Sequence, residues 1–142
     1  MALTRKLGAC RRMSMDERLL LAEAIVTLAA ARIVILTVPF RRLAGWHSRS
    51  VPLNAGDVAV IERVRRSVGT AARNVPWNAV CLPQAMAAKA MLARRGCGST
   101  FHLGAGIDTD GNLVGHAWLA VGEIIVVGAA GASSVTPLAQ FG

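Results

Sequence analysis

The chain has 142 residues, 54% of them hydrophobic, with a mean hydropathy of +0.46 and a formal net charge of +8. That length suits one domain with a real core, and 4% aromatic content without zinc-ligand spacing excludes the common nucleic-acid modules despite the charge. Three cysteines, Cys10, Cys81 and Cys97, are too few and too scattered for a disulfide framework, so a reducing, cytoplasmic setting is expected.

Residues 1–75 carry 13 Lys and Arg against 5 Asp and Glu, whereas residues 76–142 carry three of each. The basic half suits an anionic partner or a solvated face. Residues 1–15 read as a basic, flexible lead, without the apolar core and cleavage site of a signal peptide. Ser14-Met15-Asp16-Glu17 has the carboxylates of a helix entry. Arg18 to Val38 is helical in pattern and apolar nearly all round, and Pro39 ends it. The stretch is long enough for a membrane span. Glu23 and Arg32 argue against one, since a mid-bilayer charge costs roughly 2.5–3.5 kcal/mol. The expectation is a buried or groove-forming helix, lying against a membrane or a partner.

Gly45 to Gly56 reads as loop. A second helix is predicted over 57–73, with Val58, Ile61, Val64, Val68 and Ala71 at helical spacing. Asn74-Val75-Pro76-Trp77 breaks it, because the residue before proline is driven out of the helical region. A third helix is predicted over 82–95, closed by Arg94-Arg95-Gly96. Strands follow over 99–107, 113–121 and 124–127, with turns at Asp108–Asn112 and Gly122-Glu123. Residues 128–142 read as small-residue loop, with Val135–Leu138 docking back. The order predicts an α+β fold, helices packed on a small antiparallel sheet. The expected organisation is one domain over 16–142, with the hydrophobic helix and loop at 16–50 and a catalytic core at 57–142.

The candidate chemistry is a cysteine and a histidine. Cys81 lies where an extended Pro/Trp segment enters the third helix, and His116 lies on the second strand, 35 residues later. That gap allows one helix, a turn and a hairpin back across the helix N-terminus. A helix start presents free N–H groups and about half a positive charge, and a nearby imidazolium adds a whole one. Both favour thiolate. Pro83 suits the opening turn. Asn78 and Gln84 are candidate oxyanion donors beside the Cys81 N–H. Trp77 and Trp118 are candidate walls of the substrate site, or plain core. His102 is a weaker base candidate, Cys97 reads as structural, and His47 as solvated. Taken singly, Cys81 suits a small buried hydrophobe and His116 a satisfied sheet histidine. No metal-ligand pattern stands out.

Pro76-Trp77, Cys81-Leu82-Pro83-Gln84-Ala85, Arg94-Arg95-Gly96, Phe101-His102-Leu103-Gly104 and His116-Ala117-Trp118-Leu119 together resemble the lasso-peptide leader peptidases. These are transglutaminase-like cysteine proteases, the protease part of the split lasso-peptide B protein. The hydrophobic helix followed by Pro39–Leu43 resembles that family's N-terminal region. The resemblance implies a papain/transglutaminase-like core, no cofactor, and removal of a leader peptide from a ribosomally made precursor. It assigns the nucleophile to Cys81 and the base to His116. It also implies a separate leader-recognition protein and an ATP-dependent macrolactam synthetase as partners. One feature departs from the family, which often places an Asp at the end of the strand after the histidine. Ile125–Ala130 has none. Asp108, a backbone carbonyl or a side-chain amide would then orient His116, or a Cys–His dyad would suffice. Two rival readings share these residues: an acyl transfer to an amine, and a non-enzymatic membrane-associated scaffold built on the first helix.

Overall fold

In a computed structural model of the chain, the residues described are 8, 11–39, 42, 56–129 and, for backbone only, 136–141. Of the lead expected over 1–15, residues 1–7, 9 and 10 lie outside them, as does the loop expected over 45–56 except Gly56; Cys10 and His47 fall there.

Helix α1 spans Met15–Thr37. Its start is fixed by a reciprocal cap: Glu17 N donates to Ser14 Oγ (3.2 Å) and Ser14 N to the Glu17 carboxylate (2.8 Å). Leu20, Ala24, Leu28 and Ala31, three or four residues apart, line one buried face. The expectation of a buried helix holds for that face alone. The opposite face leaves Met15, Leu19, Val26, Ile33 and Leu36 exposed. Glu23 accepts from both Arg94 and Arg95, which ties α1 to the next-but-one helix. These bonds, that from Arg95 foremost, hold its carboxyl below the usual glutamate range.

Helix α2, Asp57–Asn74, buries Ile61, Val64, Val68 and Ala71. Helix α3, Cys81–Arg94, is the most enclosed: Pro83, Ala85 to Lys89, Met91 and Leu92 are buried. It packs against α1 and α2 on one side and against the sheet on the other. Gly96, at φ +73°, closes it, and Cys97 N bonds back to Leu92 O at 3.0 Å. Lys89, 1% exposed, reaches Ser99 O at 3.2 Å across this reversal. Burial pushes its ammonium below the ordinary lysine range.

The sheet is antiparallel, in the order β3-β2-β1-β4, from β1 (Thr100–Ile107), β2 (Leu113–Val121), β3 (Ile124–Val127) and β4 (Thr136–Phe141). The fourth strand corrects the loop expected over 128–142. Phe101 pairs with Phe141 and Ala105 with Thr136, around a bulge at Leu103/Gly104. Thr-Pro-Leu-Ala-Gln-Phe lacks β-branched density and carries a proline, so its strand character comes from the unpaired edge of β1, not from its own propensity. At the other edge, Arg65 of α2 donates to the Ile125 and Val126 carbonyls, covering backbone that would otherwise invite another strand. The architecture is α+β, with the helices against one face of the sheet.

Candidate active site

Cys81 is the first residue of α3 and is half-buried against the core. No side chain caps this helix, and its first turn holds no acidic residue. Pro83 has no N–H to satisfy, and Gln84 N bonds to Val80 O at 3.3 Å. The Cys81 and Leu82 N–H groups have no hydrogen bond among the described residues, so they are open to a developing oxyanion. Gln84 braces the entry: its amide donates to Ala79 O at 2.5 Å, with one N–H left over. Arg32 of α1 donates to Asn78 O at 3.4 Å and holds the same segment from the other side.

His116 faces Gly104 across β1 and β2. Its Nε2 lies 2.7 Å from Gly128 O. A carbonyl only accepts, so Nε2 carries a proton, and in the neutral ring Nδ1 holds the lone pair. The acceptor sits just past β3, in the stretch where the resembled family often carries its carboxylate. Gly128 reaches it at φ +86°, and a Cβ there would lie 2.6 Å from Ala117 O and 2.9 Å from Trp118 Cβ. Only glycine permits both the conformation and the approach. Trp118 stacks on His102, with centroids 5.1 Å apart, and more loosely on His116 at 6.2 Å. Desolvation holds His102 below the ordinary histidine range.

The profile of the transglutaminase-like superfamily matches residues 24–140. The chain belongs to the transglutaminase-like superfamily. Neither the curated proteins nor the solved structures include a significant match. The superfamily includes cysteine proteases and acyl transferases, and the expected fold class is borne out.

Within this transglutaminase-like domain, α3 carries Cys81 and packs against β2, the strand that carries His116. Ala117 and Leu119 enter the helix-facing core, so alternation puts His116 and Trp118 on the other side of β2. Among the described residues no hydrogen bond joins the Cys81 thiol to the His116 ring.

Asp108 does not orient His116, contrary to one expectation. Its carboxylate accepts from Asn112 N (2.8 Å) and Asp110 N (3.0 Å), closing the β1–β2 turn. These bonds, the Asn112 N–H foremost, hold it below the usual aspartate range. Asn78 is exposed, and among the described residues no hydrogen bond fixes its amide. Cys97 is buried, with Sγ 3.6 Å from Asp57 Oδ1; burial, then that carboxylate, pushes its thiol up, which suits a structural role. A backbone carbonyl was among the groups expected to orient His116, and it is that of Gly128, a position with no side-chain signature. One feature escaped the sequence reading: the buried Trp77 Nε1, which has no hydrogen-bond partner among the described residues; its position before Cys81 was the only signal.

Proposed function

We propose that this protein is a cysteine endopeptidase that removes the leader from a lasso-peptide precursor, with Cys81 as nucleophile and His116 as base. The observation that carries this reading is Cys81 as the opening residue of an uncapped helix in a transglutaminase-like domain. A structural cysteine has no need of two open N–H groups beside it, whereas an oxyanion does.

His116 Nδ1 takes the thiol proton, and sulfur attacks the scissile carbonyl carbon. The oxygen becomes an oxyanion held by the Cys81 and Leu82 N–H groups. The imidazolium then protonates the leaving nitrogen, the C–N bond breaks, and the leader stays as a thioester on Cys81. Nδ1 next takes a proton from water, whose oxygen attacks the thioester, and the C–S bond breaks to restore the thiol. Throughout, the Gly128 carbonyl holds Nε2–H and supports the ring as it becomes positive. Trp77 and Trp118 wall the substrate.

The cycle requires Nδ1 within hydrogen-bond reach of Sγ, so His116, which lies on the side of β2 away from the helix-facing core, has to be brought to the start of α3 when substrate binds. A separate leader-recognition protein that presents the precursor is the natural agent for this closure, with an ATP-dependent macrolactam synthetase taking the released core peptide. The test is precursor and recognition protein incubated with wild-type protein and with Cys81→Ala. The wild type should give two fragments whose masses together exceed the precursor by one water; Cys81→Ala should give none. Cleavage by Cys81→Ala removes this nucleophile, and a product joining two chains shows an amine acceptor instead.

A further inference from the structure

We propose that α1 docks this protein peripherally on an anionic lipid surface. The exposed side of the helix is a continuous aliphatic stripe. Met15, Leu19, Val26, Ile33 and Leu36 stand on it, with Val26 68% and Leu36 72% exposed. Their spacings of four, seven, seven and three residues keep them on one face, and Ala22 and Ala29 fill the gaps. From Met15 to Leu36 the stripe is about 33 Å long. It has no hydrogen-bonding group that needs a partner, which suits acyl chains.

The charge around it indicates the occupant. Residues 1–15 carry four Lys and Arg and no acidic residue, and residues 38–56 carry three and none. Of these cations Arg11, Arg12 and Arg42 are described and exposed, and both flanks stay net positive with Asp16 and Glu17 counted. That shared sign favours an anionic surface over a second copy of the same chain, with the stripe entering the acyl boundary.

The helix does not span. By length and composition it is able to cross a bilayer, but Leu20, Ala24, Leu28 and Ala31 are packed against α2 and α3. Glu23 is also tied to Arg94 and Arg95. Crossing would strip the core and bury that carboxylate in hydrocarbon. Lying flat costs neither.

The test is flotation of the full chain with vesicles of phosphatidylcholine alone, or with about one-third phosphatidylglycerol. Binding is expected only to the anionic vesicles. It should fall as salt rises to about 0.5 M, where screening shortens the reach of the cations. Val26→Gln with Ile33→Gln should weaken it by about 10-fold or more, the scale of one large aliphatic side chain returned to water. Both positions are exposed, so unchanged far-UV circular dichroism checks the fold. Arg11→Glu with Arg12→Glu, outside α1, should also weaken binding. No flotation, equal binding to neutral vesicles, or binding indifferent to both double variants overturns the proposal. So does a dimer in solution that Val26→Gln with Ile33→Gln dissociates, since a second copy then owns the stripe. Binding to an acidic protein in place of the vesicles does the same.

Discussion

Replacing Gly128 by Ala tests the support of His116 most directly. The backbone sits at φ +86°, which costs an L-residue about 1–2 kcal/mol. The new Cβ would fall 2.6 Å from Ala117 O, 2.9 Å from Trp118 Cβ and 3.0 Å from Trp118 Cα. Two of these three atoms are backbone and the third is a Cβ, so none swings aside. A carbon–oxygen contact needs about 3.3 Å, so the Gly128 peptide must retreat by about 0.7 Å. The 2.7 Å bond to His116 Nε2 would then stretch to about 3.4 Å, past ordinary N–H···O range. Stability should fall by about 2–4 kcal/mol. The imidazole should lose its fixed tautomer, and kcat/KM for precursor cleavage should drop about 10–100-fold, mainly in kcat, because the base is still present but no longer oriented. Nitrogen-15 chemical shifts of the ring report the tautomer without any need for activity. The reasoning fails if Gly128→Ala keeps the Nε2–H tautomer and cleaves at the wild-type rate.

Other consequences are smaller but equally definite. In the free protein, His116→Asn should leave the alkylation rate of Cys81 within about twofold of wild type, since among the described residues no hydrogen bond joins ring and thiol, while cleavage falls at least about 100-fold; mass-resolved iodoacetamide labelling separates the two. Glu23→Gln should cost about 1–2 kcal/mol at pH 7, or roughly 4–8 °C in Tm, because two arginine contacts lose their anion. The folded-state pKa of Glu23 lies below its unfolded value, so this stabilisation is complete above the ordinary glutamate pKa of about 4.3 and disappears as pH falls through the depressed value. The Tm gap between wild type and Glu23→Gln should therefore close in acid, and a gap constant with pH would contradict the bridge. Trp77→Phe removes a buried donor without a partner, so thermal stability should hold or rise by up to about 1 kcal/mol, whereas cleavage should slow if that N–H serves the substrate; a large loss of Tm with unchanged cleavage would make Trp77 plain core.

The sequence carried the helices and the hairpin well because each has local punctuation. Ser14 and Glu17 stand at the expected helix entry, where they cap each other, Pro76 follows the break after α2, and Gly96 takes the positive φ of a helix end. Asp108 and Gly111 shape the expected turn, but the same chemistry occupies the Asp108 carboxylate and takes it away from His116. The fourth strand was not legible, because its pairing is dictated by a distant edge and not by its own residues. The exposed side of α1 was not legible either. Apolar residues occur nearly all round that helix, so periodicity could not distinguish the packed row at Leu20 and Leu28 from the bare row at Leu19 and Val26. At the site, residue types were readable and relations were not. The thiol at the helix start follows from Pro83 and the helical pattern, but a main-chain carbonyl in place of a carboxylate has no residue letter of its own.

The irregularities of the chain fall at the start of α3 and at the acceptor of His116, and that coincidence with the candidate residues supports a functional reading of them. Helix α1 has its first turn satisfied by a reciprocal cap, so the chain closes a helix start fully where nothing else is required. Helix α3, the most buried of the three, opens with no side-chain cap and, among the described residues, with no hydrogen bond from the Cys81 and Leu82 N–H groups. A Ser or Asp at position 80 would add about 1 kcal/mol, yet Val80 stands there, exposed. Trp77 adds a buried donor, unpartnered among the described residues, four residues upstream, and Gly128 a glycine-only approach to β2. The open donors lower stability, and the approach is one that no other residue could make. In a sequence otherwise consistent with its fold, local costs of this kind are expected where a site must stay open to a substrate. Open donors suit an oxyanion, and a carbonyl fixed on one imidazole nitrogen suits a base on the other. Restoring the cap therefore tests the proposed role: Val80→Asp should raise Tm while suppressing cleavage, because its carboxylate would occupy the donors and repel the oxyanion of the proposed mechanism.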